Sequence, residues 1–115
     1  MSIEQEIQAK GLTAPRVTPE GVEANIVGEY YFTAGEGAAA AIYAKCLSEI
    51  DELPDVLDLL TLCVLVLKNG FTVVGHSACA SPENFDAEIG RKVARKHAVD
   101  QVWPLMGYAL KEQLS

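Results

Sequence analysis

The stretch 60-LTLCVLVLKNGFTVVGHSACA-80 decides the fold. Two apolar runs rich in β-branched residues flank Asn69-Gly70, and an Asn-Gly pair between such runs favours a type I′ hairpin, whose turn residues both need positive φ. A two-residue turn pairs positions whose numbers sum to 139, setting Lys68 opposite Phe71, Val66 opposite Val73 and Cys63 opposite His76. In that register both faces are largely apolar. The hairpin should then be covered twice, by helices on one face and a partner strand or subunit on the other.

Upstream of the hairpin the chain reads as helical. Residues 1–10 can form a short polar helix ending at Gly11, and 11-GLTAPRV-17 reads as a linker. Thr18 can cap a helix that accepts Pro19 in its first turn, with Glu20 suited to the helix dipole. Val22, Ile26 and Val27 extend that helix over 18–30, leaving 31-YFTAGEG-37 as a loop or short extended piece. The alanine-rich 38-AAAAIYAKCLSEIDEL-53 has strong helix propensity, with Ile42, Cys46 and Ile50 on one face, and Pro54 ends it.

Downstream, Ser81-Pro82 breaks the second strand and 83–99 opens as a helix, with Asn84 a possible cap and Phe85, Ile89 and Val93 its buried stripe. Pro104 should kink or restart the helix, giving two C-terminal helices. The expected architecture is one α+β domain over 1–115. It has a helical N-terminal half over 1–57, and an antiparallel hairpin at about 60–68 and 71–80 packed with those helices and the C-terminal pair.

Composition narrows the functional classes. Nine Lys and Arg against sixteen Asp and Glu give a net charge of -7, which argues against general binding to nucleic acid or to an anionic membrane. Half the residues are hydrophobic and 22% charged, so a small domain has apolar surface to spare, and a homo-oligomer is expected. Cys46, Cys63 and Cys79 are odd in number and lack C-x-x-C spacing, which fits free thiols in a reducing cytoplasm. The polar N-terminus does not read as a signal peptide, and the run 56–67 is too short to span a bilayer.

Against that acidic background, Arg91, Lys92, Arg95 and Lys96 place four of the nine cations in six residues. Arg91 and Arg95 stand one helical turn apart and could grip a phosphate as a pair of guanidiniums. A solvated face balancing Asp86 and Glu88 is the plain alternative. Phe71 after the turn could stack on a nucleobase or simply pack on the sheet. Asn84 could read a base edge or a ribose hydroxyl, or serve only as a cap. His76 opposite Cys63 offers too few ligands for zinc, and no catalytic or metal motif calls for an enzyme or a cofactor.

The block 60–114, with 69-NGF-71, 77-SACASPENFDAEIGRK-92 and 103-WPLMGY-108, resembles the small phage-encoded family of coliphage gene-49/gene-66-type products. The layout also resembles the Thoeris anti-defence sponges of phages. In these a hairpin and two C-terminal helices build oligomers that bind cyclic ADP-ribose-type signals, and some bind cyclic di- or trinucleotides made by CBASS systems. The resemblance implies a counter-defence protein of the host cytoplasm that sequesters a small anionic nucleotide-type ligand without cleaving it. Phe71 would stack on the base, Asn84 would make polar contacts, and Arg91 and Arg95 would hold phosphates with Lys92 adding positive potential. The alternative is a phage accessory or virion-associated adaptor acting through a protein interface.

Overall fold

Three antiparallel strands in the order β1-β2-β3 form the body, and one long helix lies across one face. The computed structural model describes residues 2–45 and 52–115. Helix α1 (Ile3–Ala9) opens with a capping box between Ser2 and Gln5. Helix α2 (Pro19–Asn25) begins as expected, with the Thr18 hydroxyl accepting from the Gly21 N–H at 3.0 Å. It stops at Asn25 rather than continuing to residue 30, because 26-IVGEYYFT-33 is strand β1. β-Branched and aromatic residues prefer a pleated surface, and β1 pairs with the edge of β2 from Ile26↔Leu67 to Thr33↔Thr61. The expected loop 31–37 is therefore the end of β1 and the first turn of helix α3 (Ala34–Lys45). Thr33 and Glu36 cap α3 reciprocally: the Thr33 hydroxyl accepts from Glu36 N–H, and the Glu36 carboxylate accepts from Thr33 N–H. The expected face through Cys46 and Ile50 lies outside the described residues.

The hairpin is present as β2 (Leu60–Leu67) and β3 (Thr72–Ala78), but its register differs by one residue from the Asn-Gly expectation. Cys63 pairs with Gly75, Leu65 with Val73 and Leu62 with His76. Of the two turn residues only Gly70 has positive φ, at 90°, so Asn69 does not take the type I′ conformation. Gly70 N–H donates to Leu67 O, and Leu67 N–H to Phe71 O. This is a three-residue loop, a type I turn closed by a left-handed glycine. The Asn69 side chain accepts from Phe71 N–H and holds it there. Cys63 and His76 consequently stand on opposite faces of the sheet.

Helix α4 runs unbroken from Ala87 to Leu114 with Pro104 inside it, so the two expected C-terminal helices are one. Proline removes one intrahelical hydrogen bond; here both Pro104 and Asp100, whose carbonyl loses its donor, are exposed to water. The N-cap is Asp86, which accepts from Ile89 N–H at 3.0 Å, and Asn84 instead closes a 3-10 turn over Pro82–Asn84. The buried stripe is Gly90, Ala94, Ala98 and Val102, whereas Ile89 and Val93 are 60% and 49% exposed. Close approach explains the inversion. A Cβ on Gly75 would collide with the α4 backbone at Ala94 and Ala98, and one on Gly90 would lie 2.9 Å from the Thr61 hydroxyl. Only small residues let the helix axis come this near the sheet. The core of Val22, Cys63, Leu65, Leu67, Val73 and Val102 fills the remaining space.

The other face of the sheet carries Tyr30, Phe32, Leu62, Val64, Val66 and Val74, with His76 at its β3 border. No element covers it as α4 covers the first face, so the expected second layer is absent among the described residues; Tyr30 is 60% and Val74 50% exposed. The strand that joins the hairpin is β1, added at the edge of β2 rather than stacked on this face.

Candidate functional site

The basic segment 91–96 is largely neutralised by its surroundings. Lys92 pairs with Glu88 at 3.4 Å and Lys96 with Asp100 at 3.2 Å, each one turn away. Arg95 turns inward and is held by two elements at once. Its Nε donates to Glu29 of β1 at 2.7 Å, and its terminal nitrogens donate to both oxygens of Glu23 of α2 at 3.0 and 2.7 Å. This planar fork suits guanidinium and not an ammonium. The hydrogen bond from Arg95 holds the Glu23 carboxyl below its ordinary 4.5, with partial burial opposing. The same two carboxylates raise the Arg95 pKa. Arg95 is thus a clamp joining α4 to α2 and β1, and its donors are committed.

Arg91, one turn earlier, has no ion pair among the described residues. Its side chain borders a cavity of about 260 Å³ at the end of the sheet, shared with Tyr31, Phe32, Thr33, Glu36, Thr61 and Phe85. Each wall has a local cause. Phe85 follows the 3-10 turn that Pro82 initiates, Glu36 is fixed by capping α3, and Thr61 lies beneath Gly90. Thr61 is only 4% exposed, and its hydroxyl finds no partner among the described residues. Burial pushes the Tyr31 phenol up, aided by its neighbours Cys63 and Glu29, and keeps it neutral. Burial likewise raises the pKa of the Cys63 thiol. Among the described residues the cavity therefore brings together an arginine without an ion pair, a carboxylate fixed by capping α3 and three aromatic rings.

The sequence-derived residues are not gathered in one place within the subunit. Phe71, 55% exposed, sits at the hairpin turn beside a separate depression of about 230 Å³ with Leu105 and Met106. It is about 20 Å from Thr61 along β2 at ~3.3 Å per residue. A cleft of about 380 Å³ adjoins that depression and contains Arg16 and Lys68, but Arg16 is paired with Glu4. Asn84 borders a fourth hollow, of about 160 Å³, with Cys79 and Ile89. Tyr31 and Glu36 escaped sequence reasoning because β1 read as helix and loop, and the run 30-YYFT-33 was the signal that could have placed them; Thr61 and Phe85 were read only as strand and buried stripe. Among the described residues no three potential metal ligands cluster, and no helix is long and apolar enough to cross a membrane.

Fold and site together define a small two-layer α+β domain, a three-stranded antiparallel sheet backed by one long helix, with an aromatic-walled cavity at the end of the sheet. Residues 17–114 match the family model described as Phage protein (N4 Gp49/phage Sf6 gene 66) family, and the chain belongs to that family of phage proteins. The match reaches well upstream of the 60–114 block and takes in α2, β1 and α3. No curated protein and no solved structure matches the chain.

Proposed function

We propose that this phage protein binds a small anionic nucleotide-type ligand and holds it without cleaving it, with Arg91 as the anion contact. The reading is that of a counter-defence protein taking up a cyclic nucleotide or cyclised ADP-ribose signal in the host cytoplasm. One observation carries it: Arg91, without an ion pair among the described residues, shares a cavity with three aromatic rings, the buried Thr61 and a fixed carboxylate. Aromatic faces accept a nucleobase, and a carboxylate can accept the N–H donors of a base edge. A guanidinium at the rim takes the phosphate. A volume of 260 Å³ lies just under the usual range for small-molecule sites, so it seats a base and leaves the phosphates at the mouth by Arg91. Sequestration needs only preorganised contacts of this kind.

The test is a thermal-shift and calorimetry panel of cyclic ADP-ribose isomers and cyclic mono-, di- and trinucleotides. A bound ligand at about 100 times its Kd stabilises by about 2.7 kcal/mol, an easily read rise in Tm. Arg91→Ala should weaken binding more than tenfold with apo stability unchanged, while Lys92→Ala should leave affinity within about twofold, since its ammonium is already paired and exposed. Mass spectrometry of ligand released by heat should return it intact. A panel in which no nucleotide moves the Tm removes this reading. It would leave that of an accessory or virion-associated adaptor, which the uncovered apolar face of the sheet favours.

A further inference from the structure

The capping pair that opens α3 has hydrogen-bonding capacity left over, and both of its members line the Arg91 cavity. Glu36 Oε1 accepts from Thr33 N–H at 2.9 Å, and Thr33 Oγ1 accepts from Glu36 N–H at 3.1 Å. These reciprocal bonds use one acceptor site on each side chain and hold both in place. Glu36 Oε2 takes no hydrogen bond among the described residues, and the Thr33 hydroxyl keeps its proton to donate. One donor and two carboxylate oxygens thus stand side by side, positioned before any ligand arrives.

Resting on the nucleotide reading above, we infer that the base held in this cavity is guanine, with its Watson–Crick edge on Thr33 and Glu36. Along that edge guanine presents an acceptor and then two donors: O6, N1–H and N2–H. The Thr33 hydroxyl donates to O6, and the carboxylate oxygens accept from N1–H and N2–H. Every other common base fails at one position or more. Adenine sets its N1 lone pair against the carboxylate, and cytosine sets N3 and O2 against it. Uracil matches at O4 and N3–H but turns O2 toward the second carboxylate oxygen. A carboxylate has no proton to offer those lone pairs, so each mismatch leaves two acceptors opposed and unpaired.

The rings of Tyr31, Phe32 and Phe85 add a preference for the larger stacking face of a purine. Arg91 takes no part in reading the base. Its guanidinium stays with the phosphate, so affinity and base choice fall to different residues. Of the ligands the nucleotide reading admits, guanine cyclic nucleotides are therefore selected over cyclised ADP-ribose, whose base is adenine.

The test is calorimetry of the full chain with the 3′,5′-cyclic monophosphates of guanosine, inosine, adenosine and uridine, which share ribose and phosphate. It is repeated with cyclic di-GMP, cyclic di-AMP and cyclised ADP-ribose. A guanine ligand should bind about tenfold or more tightly than its adenine counterpart, the discrimination expected of a bidentate base contact. Cyclic IMP, which lacks only the N2 amino group, should fall between them. Glu36→Gln keeps an amide oxygen for Thr33 N–H, so the apo Tm should hold. Its guanine preference should shrink to about threefold or less, because one carboxylate oxygen has become a donor. Guanine and adenine ligands that bind alike overturn the inference and leave the nucleotide reading standing, as does binding of cyclised ADP-ribose alone. A guanine preference that Glu36→Gln leaves intact also overturns it, since another group would then be the reader. Silence of every nucleotide removes the reading itself and the inference with it. Should Glu36→Gln fail to fold, the wild-type order of cyclic GMP, cyclic IMP and cyclic AMP decides alone.

Discussion

The two faces of one strand make the most instructive contrast in this molecule. Along β2, Thr61, Cys63, Leu65 and Leu67 are at most 4% exposed beneath α4, while Leu60, Leu62, Val64 and Val66 alternate with them and remain half-buried. Both sets are apolar, so composition does not separate them. What separates them is the partner. Gly75, Gly90, Ala94 and Ala98 admit a helix backbone to one face, and no such set of small residues in α4 addresses the other. Apolar surface is a requirement for burial, and the small residues decide where burial happens.

The largest effects should come from breaking the closed face. Leu65→Ala should cost about 3 kcal/mol in denaturant unfolding, while Val64→Ala on the neighbouring position, which α4 does not cover, should cost under about 1 kcal/mol. Gly75→Ala should cost about 3 kcal/mol, because its Cβ meets helix backbone that no side-chain rotation can clear. A stable Gly75→Ala protein would show that α4 does not lie where the structure puts it.

A second contrast lies within α4. Arg95→Ala should cost about 1–2 kcal/mol, discounted for partial exposure, because it leaves Glu23 and Glu29 facing an empty clamp. Arg91→Ala should change stability by less than about 0.5 kcal/mol, since its side chain ties nothing down. The clamp also sets a pH dependence. Glu23 has a folded pKa below its unfolded 4.5, so its contribution is present above that value and is lost as pH falls through the folded pKa. Acid titration of unfolding stability should therefore be flatter below pH 4.5 in Arg95→Ala than in wild type. Parallel curves would show that the clamp is not formed in solution. The smallest effect should come from Gln101→Ala, which uncaps Val74 O at the β3 edge: stability should fall by about 0.5–1 kcal/mol. Aggregation on heating should rise at the same time. Unchanged aggregation would mean the edge is guarded by something else.

Local signals that need no partner were readable. Thr18 caps its helix, Asn69-Gly70 turns the hairpin, and the runs either side of it are strands. The candidate site was legible only in Arg91. Its neighbours come from β1, α3 and the 3-10 turn, elements far apart in sequence that meet at the end of the sheet. The same blindness misjudged Arg95, whose partners Glu23 and Glu29 lie 72 and 66 positions away.

By itself, then, the amino-acid order determined a hairpin with flanking helices, an acidic surface, and the place where cations concentrate. Tertiary structure alone decided that 26–33 pairs as a third strand, that the loop takes three residues rather than two, and that the helix seats its small stripe in place of its large one. It also decided which arginine is spent holding the fold and which is left free. The physical reason is common to all four: each outcome is set by how closely two backbones can approach, a property of pairs of segments that no window along one segment contains.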